Sequence, residues 1–223
     1  MSADKPRLLD LFCGAGGAAK GYQRAGFYVV GVDINPQPHY CGDEFYQADA
    51  LTFPLEGFDA IHASPPCQAY SALKNRRVDA GSHLDLIPAV RARLHGYDVP
   101  WVIENVVGAP LNTLLMLCGS MFDLRSSRGY LQRHRWFESN TLIMSPGPCR
   151  HEGQAIGVYG HGSGGLFGLR MRTAGADESR ELMGMPWATR DGCSQAIPPA
   201  YTEYIGAQLI AVVAYRNRAE AAL

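Results

Sequence analysis

With 223 residues, 47% of them hydrophobic, the chain can bury a sizeable core as one domain with at most a small appendage. A net charge of −1 and a pI near 6.6 exclude a uniformly basic nucleic-acid binder, and no apolar run approaches membrane-spanning length. Six cysteines at 13, 41, 67, 118, 149 and 193, none in a CxxC pair, favour reduced thiols in a cytoplasm over a disulfide framework. The first residues also lack an apolar signal-peptide core. Cys149-Arg150-His151 offers two potential ligands without an evident second pair, so no metal is expected.

Charge is unevenly spread. Residues 1–60 hold eight acids against four bases, whereas 124–135 hold Arg125, Arg128, Arg133 and Arg135 with no acid. Lys74-Asn75-Arg76-Arg77 is a second basic cluster. Two local patches fit a nucleic-acid groove, although each alone can be a solvated face.

Arg7 to Phe12 is a compact apolar run suited to a central strand, and it feeds Cys13-Gly14-Ala15-Gly16-Gly17. A helix follows from Ala18 to Ala25, closed by Gly26. A glycine-rich strand-to-helix turn lets a ligand approach the backbone and meet the N–H groups at the helix start. Its spacing departs from G-x-G-x-x-G, so a nicotinamide dinucleotide is not expected. Tyr28 to Val32 is a second strand ending in Asp33, placed to accept hydrogen bonds from ribose hydroxyls. Asp49-Ala50 follows another short extended segment, where a carboxylate can meet an adenine amino group. Together these features lay out a site for an adenosine-containing cofactor.

Asp59 to Ala63 reads as a short buried strand that Pro65 and Pro66 stop, since proline fixes φ and cannot donate a ladder hydrogen bond. Cys67 therefore leaves at a strand's carboxyl end, where open α/β sheets carry their chemistry. Its thiol becomes a strong nucleophile once ionised or paired with a base, and a buried structural cysteine is the competing reading. Asn75 to Ser82 reads as a mobile loop, and Leu84 to Leu94 as a helix with Leu84, Ile87, Val90 and Leu94 as its buried stripe. Pro100 to Ile103 is the next buried strand, delivering Glu104 and Asn105 to the edge where Cys67 sits; a surface acid is the alternative for Glu104.

Leu114 to Leu124 suits a strand with its turn, and Arg133 to Phe137 begins another. Arg133 and Arg135, at i and i+2, should share a face and act on one ligand, with His134 pointing the other way in a structural role. Residues 145–175 form a glycine- and proline-rich irregular insert. Glu178 to Met183 is a short helix, and prolines at 198 and 199 open a closing helix over Tyr201 to Tyr215.

Five motifs now stand in one order: Asp10-Leu11-Phe12-Cys13-Gly14-Ala15-Gly16-Gly17, Pro65-Pro66-Cys67-Gln68-Ala69-Tyr70-Ser71, Glu104-Asn105-Val106, Arg133-His134-Arg135 and Ile197-Pro198-Pro199-Ala200-Tyr201. Over nearly the whole chain they resemble the DNA cytosine-5 methyltransferase family, in a short form that looks like solitary methylases of bacteriophages. The resemblance implies an α/β, Rossmann-like methyltransferase fold, a mostly parallel sheet with helices on both faces. It implies S-adenosylmethionine as cofactor, lined by Phe12, Ala15, Gly16, Gly17, Asp33, Ile34, Asp49, Ala50 and Pro66 and closed by Gln195 and Ala196. It makes Cys67 the nucleophile toward C6 of cytosine, Glu104 the acid at N3, and Arg133 and Arg135 the contacts that order the base. The implied substrate is duplex DNA with its target cytosine flipped out, in the cytoplasm, that of the host cell if the chain is phage-encoded.

The implied organisation is a catalytic and cofactor-binding core over 1–138, a short insert over 139–175 and a C-terminal segment over 176–223 that completes the core. The family usually carries a large target-recognition domain where this insert lies. The insert offers few base-reading side chains (Arg150, His151, Tyr159, His161, Arg170, Arg172). A short recognition sequence, a single-stranded substrate and a partner subunit for target recognition are all open. Gln195 stands where the family commonly has asparagine. The same chemistry on RNA and a non-catalytic nucleic-acid-binding relative are the alternative readings.

Overall fold

The computed structural model describes residues 5–67, 84–112, 115–159 and 171–220. The loop expected over 75–82, the basic cluster at 74–77, Gln68 to Ser71, His161 and Arg170 lie outside the described residues. The first half of the chain runs β1 (Arg7–Leu11), α1 (Gly17–Ala25), β2 (Tyr28–Asp33), β3 (Glu44–Gln47), β4 (Ala60–Ala63), α2 (Ile87–Leu94) and β5 (Trp101–Asn105). It continues with β6 (Leu115–Leu117), a 3₁₀ turn over Gly119–Phe122, β7 (Arg125–Ser126), β8 (Gly129–Leu131), β9 (Arg135–Ser139), β10 (Ala155–Gly157) and β11 (Arg172–Thr173). Three helices close it: α3 (Ala176–Met183), α4 (Arg190–Gln195) and α5 (Pro199–Glu220).

Seven strands form one sheet in the order β3-β2-β1-β4-β5-β9-β6. The first five pair in parallel, and β9 runs antiparallel to both β5 and β6. From β1 the chain steps outward to β2 and β3, then returns to β4 on the other side of β1. Neighbouring connections leave in opposite directions there, which opens a crevice at the carboxyl ends of β1 and β4.

Each central strand is apolar on both faces, as a sheet covered on both sides demands. Leu8, Val29, Ala60 and Val102 pack with Ala19 and Tyr22 of α1 and with Tyr201, Ile205 and Leu209 of α5. Leu9, Val30, Ile61 and Ile103 pack on the other side with Ile87, Val90 and Leu94 of α2. Burying each of these leucine, valine and isoleucine side chains contributes about 1.5–3 kcal/mol. Four polar residues interrupt the pattern at full burial or close to it: Asp10, His62, Glu104 and Asn105. Asp10 and His62 are register partners across β1 and β4.

The expected helix over 84–94 starts later. Asp85 accepts the Ile87 N–H through Oδ1 (3.0 Å) and a proline sits in the first turn, so helix geometry begins at Ile87. Leu84 is 74% exposed and leaves the predicted stripe. A second, four-stranded sheet, β11-β10-β8-β7, lies over a core shared with α3 and α4. Among the described residues no helix is long and apolar enough to cross a membrane.

Candidate active site

The turn after β1 is built from left-handed backbone. Phe12, Gly14 and Gly16 have φ of 61°, 49° and 82°, and a left-handed phenylalanine costs on the order of 1–3 kcal/mol. The turn is tied to the end of β2: Cys13 N–H donates to the Val32 carbonyl (3.1 Å) and Gly14 N–H to Asp33 Oδ2 (3.1 Å). A side chain at Gly14 would meet open space, so the backbone is bare there. Gly17 differs, because a Cβ on it would stand 2.4 Å from the Ile197 carbonyl. Its glycine lets the C-terminal segment close in. Trp187 Nε1–H donates to the Ala15 carbonyl (2.9 Å) and adds to the same wall.

Asp33 is half-buried; its Oδ1 takes the Asn35 N–H (2.9 Å), which leaves each carboxylate oxygen a free lone pair. Ile34 beside it is 65% exposed. Asp49 is exposed and caps the Leu51 N–H (2.8 Å), and Ala50 is buried with its carbonyl held by Arg93 (2.6 Å). Pro66 and Gln195 are exposed, and Ala196 is half-buried at the end of α4.

The prolyl-cysteine turn is fastened from its neighbours. Ser64 N–H donates to the Leu11 carbonyl (3.1 Å), and Asn105 Nδ2 donates to the carbonyl of buried Pro65 (2.9 Å). The amide in Glu-Asn-Val therefore holds the turn that presents Cys67. Glu104 is 6% exposed and pairs with Arg135, Nε to Oε1 at 3.0 Å. Burial pushes its carboxyl above the ordinary range, against the pull of Arg135 and of a hydrogen bond from Ser64. Cys67 is half-buried; burial raises its thiol, Arg135 draws it down and Glu104 raises it again. At rest the sulfur thus keeps its proton beside an acid that also tends to keep one.

Solved structures share this frame. The Schizosaccharomyces pombe Dnmt2 methyltransferase aligns with a TM-score of 0.61 at 14% identity, over 93% of this chain and 99% of that one. A candidate DNA modification methyltransferase encoded within an Escherichia coli prophage aligns at 0.58 and 15% identity, over 92% and 98%. In sequence, the type II methyltransferase M.AgeI of Thalassovita gelatinovora is 28% identical over 120 residues, 46% of this chain. The chain is thus similar in sequence to a type II methyltransferase over less than half its length, and it shares its fold with solved methyltransferases. The matched stretch spans 28% of M.AgeI's own length. No family model matches the chain.

Within this methyltransferase-like fold, the two arginines part company. β9 begins only at Arg135, so the i, i+2 rule of a strand does not reach back to Arg133. Arg133 is 0% exposed; it donates to the carbonyls of Val158 (2.5 Å), Ser194 (2.8 Å) and Ala196 (2.5 Å). Tyr201 Oη in turn donates to the Arg133 carbonyl (2.6 Å). Arg133 is thus placed as a staple joining β10's exit and the end of α4 to the sheet, while Arg135 faces Glu104. Arg133→Ala strands those carbonyls, and a loss of about 3 kcal/mol or more in urea unfolding is expected. An unchanged unfolding midpoint would show that the staple carries no stability.

The polar line behind Glu104 was not foreseen from sequence. Tyr22 Oη lies 3.0 Å from His62 Nδ1, and His62 Nε2 lies 2.8 Å from Ser64 Oγ, whose hydroxyl meets Glu104. Burial lowers His62 to about 3, so its ring is neutral and relays hydrogen bonds instead of charge. The only sequence signal was a histidine two positions before a serine in an apolar strand. Helix α4 also went unforeseen; it has no apolar stripe, and Thr189 Oγ1 starts it by accepting the Gly192 N–H (3.0 Å).

Proposed function

We propose that the chain transfers a methyl group from S-adenosylmethionine to C5 of cytosine in duplex DNA. One observation carries the reading. Cys67 and the Glu104–Arg135 pair lie at the carboxyl ends of adjacent parallel strands, on the edge that also holds the glycine turn and Asp33. An adenosine-bearing sulfonium fits the residues present: Gly14 leaves room, Asp33 has lone pairs for ribose hydroxyls, and exposed Ile34 offers an apolar wall. When bound, S-adenosylmethionine supplies an electrophilic methyl group.

C5 of cytosine is too weak a nucleophile to take that methyl unaided. Cys67 gives its thiol proton to water and adds at C6 through Sγ, and the C5=C6 electron pair shifts toward N3, where Glu104 donates its proton or hydrogen bond. Arg135, beside Glu104, steadies the charge on the base. C5 of the resulting enamine then accepts the methyl. The C5 proton passes to water, N3 gives back its own, and the C5–H electron pair re-forms C5=C6 and expels Cys67 as thiolate. None of these ring atoms is reachable in a stacked duplex, so the base must swing out.

Incubation with a radiolabelled methyl donor, followed by nucleoside chromatography of duplex DNA, single-stranded DNA and structured RNA, tests the reading. Label in 5-methyldeoxycytidine from duplex DNA is expected. Label in N4-methylcytosine or N6-methyladenine would overturn the chemistry, and label confined to RNA would overturn the substrate. The cofactor assignment has its own check. Asp33→Ala should weaken S-adenosylmethionine binding by roughly 1.5–3 kcal/mol, the worth of a hydrogen bond to a charged group. Equal affinity by calorimetry would move the ribose elsewhere.

A further inference from the structure

The methyl-transfer site leaves a second group of reactive side chains unused. Cys118, His134, Cys149 and His151 bring one ligand atom each to within 4.8 Å of all the others. From sequence, Cys149 and His151 lacked a second pair; the fold supplies it from far along the chain. Cys118 follows β6, His134 stands just before β9, and Cys149 and His151 come from the stretch between β9 and β10. We infer that these four side chains form a structural zinc site.

Two edges of the cluster match those of a tetrahedral zinc site. Cys149 Sγ lies 3.4 Å from His134 Nε2, and Cys118 Sγ lies 3.5 Å from His151 Nε2. With Zn–S of about 2.3 Å and Zn–N of about 2.0–2.1 Å, a tetrahedral sulfur–nitrogen edge is about 3.6 Å. Two thiolates and two neutral imidazoles around a divalent ion sum to zero charge, which suits buried Cys118. A Cys₂His₂ set selects zinc over the hard cations, and four protein ligands leave no open position for catalysis.

The surroundings hold the ligands in place. Ser120 Oγ donates to Cys118 Sγ (3.4 Å) and accepts the Arg150 N–H (3.1 Å), bridging the two ligand segments. The Tyr130 ring stacks on His151 with centroids 5.6 Å apart and planes 11° from parallel. The segment from Thr141 to Gln154 has no helix or strand, and of its large apolar residues only Ile143 packs on the core, with Leu142 and Met144 exposed. A metal does for such a segment what a core cannot. His134 lies between Arg133 and Arg135, so the same ion fixes the foot of β9 from which Arg135 reaches Glu104.

Tag-free protein, reduced and incubated with zinc chloride, then freed of excess metal, is the material for the test. Elemental analysis should find about one zinc per chain, and cobalt substitution should give the intense visible bands of a tetrahedral thiolate site. Cys149→Ser and His151→Ala should each lower the zinc content at least about tenfold. The exposed ring of His151 makes its variant the safer one for folding, with circular dichroism as the check. Wild-type protein that stays metal-free under these conditions, with or without a Cys118–Cys149 disulfide, would overturn the inference. So would full zinc content in the Cys149→Ser/His151→Ala double variant.

Discussion

Replacing Cys67 by serine is expected to lower methyl transfer by on the order of 10⁴-fold or more, as removal of a covalent nucleophile does. A hydroxyl is far harder to ionise than a thiol, and among the described residues help comes chiefly from Arg135, with Arg133 adding less. Even the thiol is held above its ordinary pKa by burial, with Arg135 as the main relief. The covalent step has a direct readout. DNA carrying 5-fluorocytosine cannot lose its C5 substituent, so wild-type protein should remain attached to it through denaturation. Cys67→Ser should release it. Equal adduct from both proteins would remove Cys67 from the reaction.

The second large effect belongs to Glu104. Glu104→Gln keeps size and a polar contact but cannot donate an acid proton, and a rate loss of about 10²–10⁴-fold is expected. Burial raises the folded carboxyl, so between the value of an unfolded glutamate, about 4.3, and its own, the folded state holds the extra proton. Stability from this group is therefore complete at low pH and is lost as pH rises through that window. The glutamine variant should lack both this slope and the decline in rate that accompanies loss of the proton. Turnover equal to wild type would take Glu104 out of the mechanism.

The parts of this site that stand at strand ends were readable in advance. Asp33, Cys67 and Glu104 each follow a short apolar run, and a parallel sheet brings such ends to one edge. Residues whose role depends on neighbours from several elements were not. Arg133 looks in sequence like Arg135's twin, yet it sits before β9 starts and is consumed by three carbonyls. His62 lies in an ordinary strand, and its importance comes from Tyr22 on one side and Ser64 on the other. The same holds for Cys118 and His134, which no local spacing joins to Cys149 and His151. The start of α2 was misjudged for a simpler reason: apolar periodicity continued to Leu84 after the helix had already given way to the turn at Asp85.

The wall behind the glycine turn also ties the turn to the timetable of synthesis. Thr202 Oγ1 donates to the Ala18 carbonyl across 184 positions, and Trp187 reaches Ala15 across 172. Translation at about 5–20 residues per second makes α1 wait roughly 10–40 s for these partners. Through that interval the face of α1 that packs on α5 stays uncovered, open to a chaperone. A nascent chain stalled before residue 187 already carries its thiol and its carboxylate, but the cradle beside them has no back. Synthesis as far as Thr202 is thus what gives the glycine turn its wall.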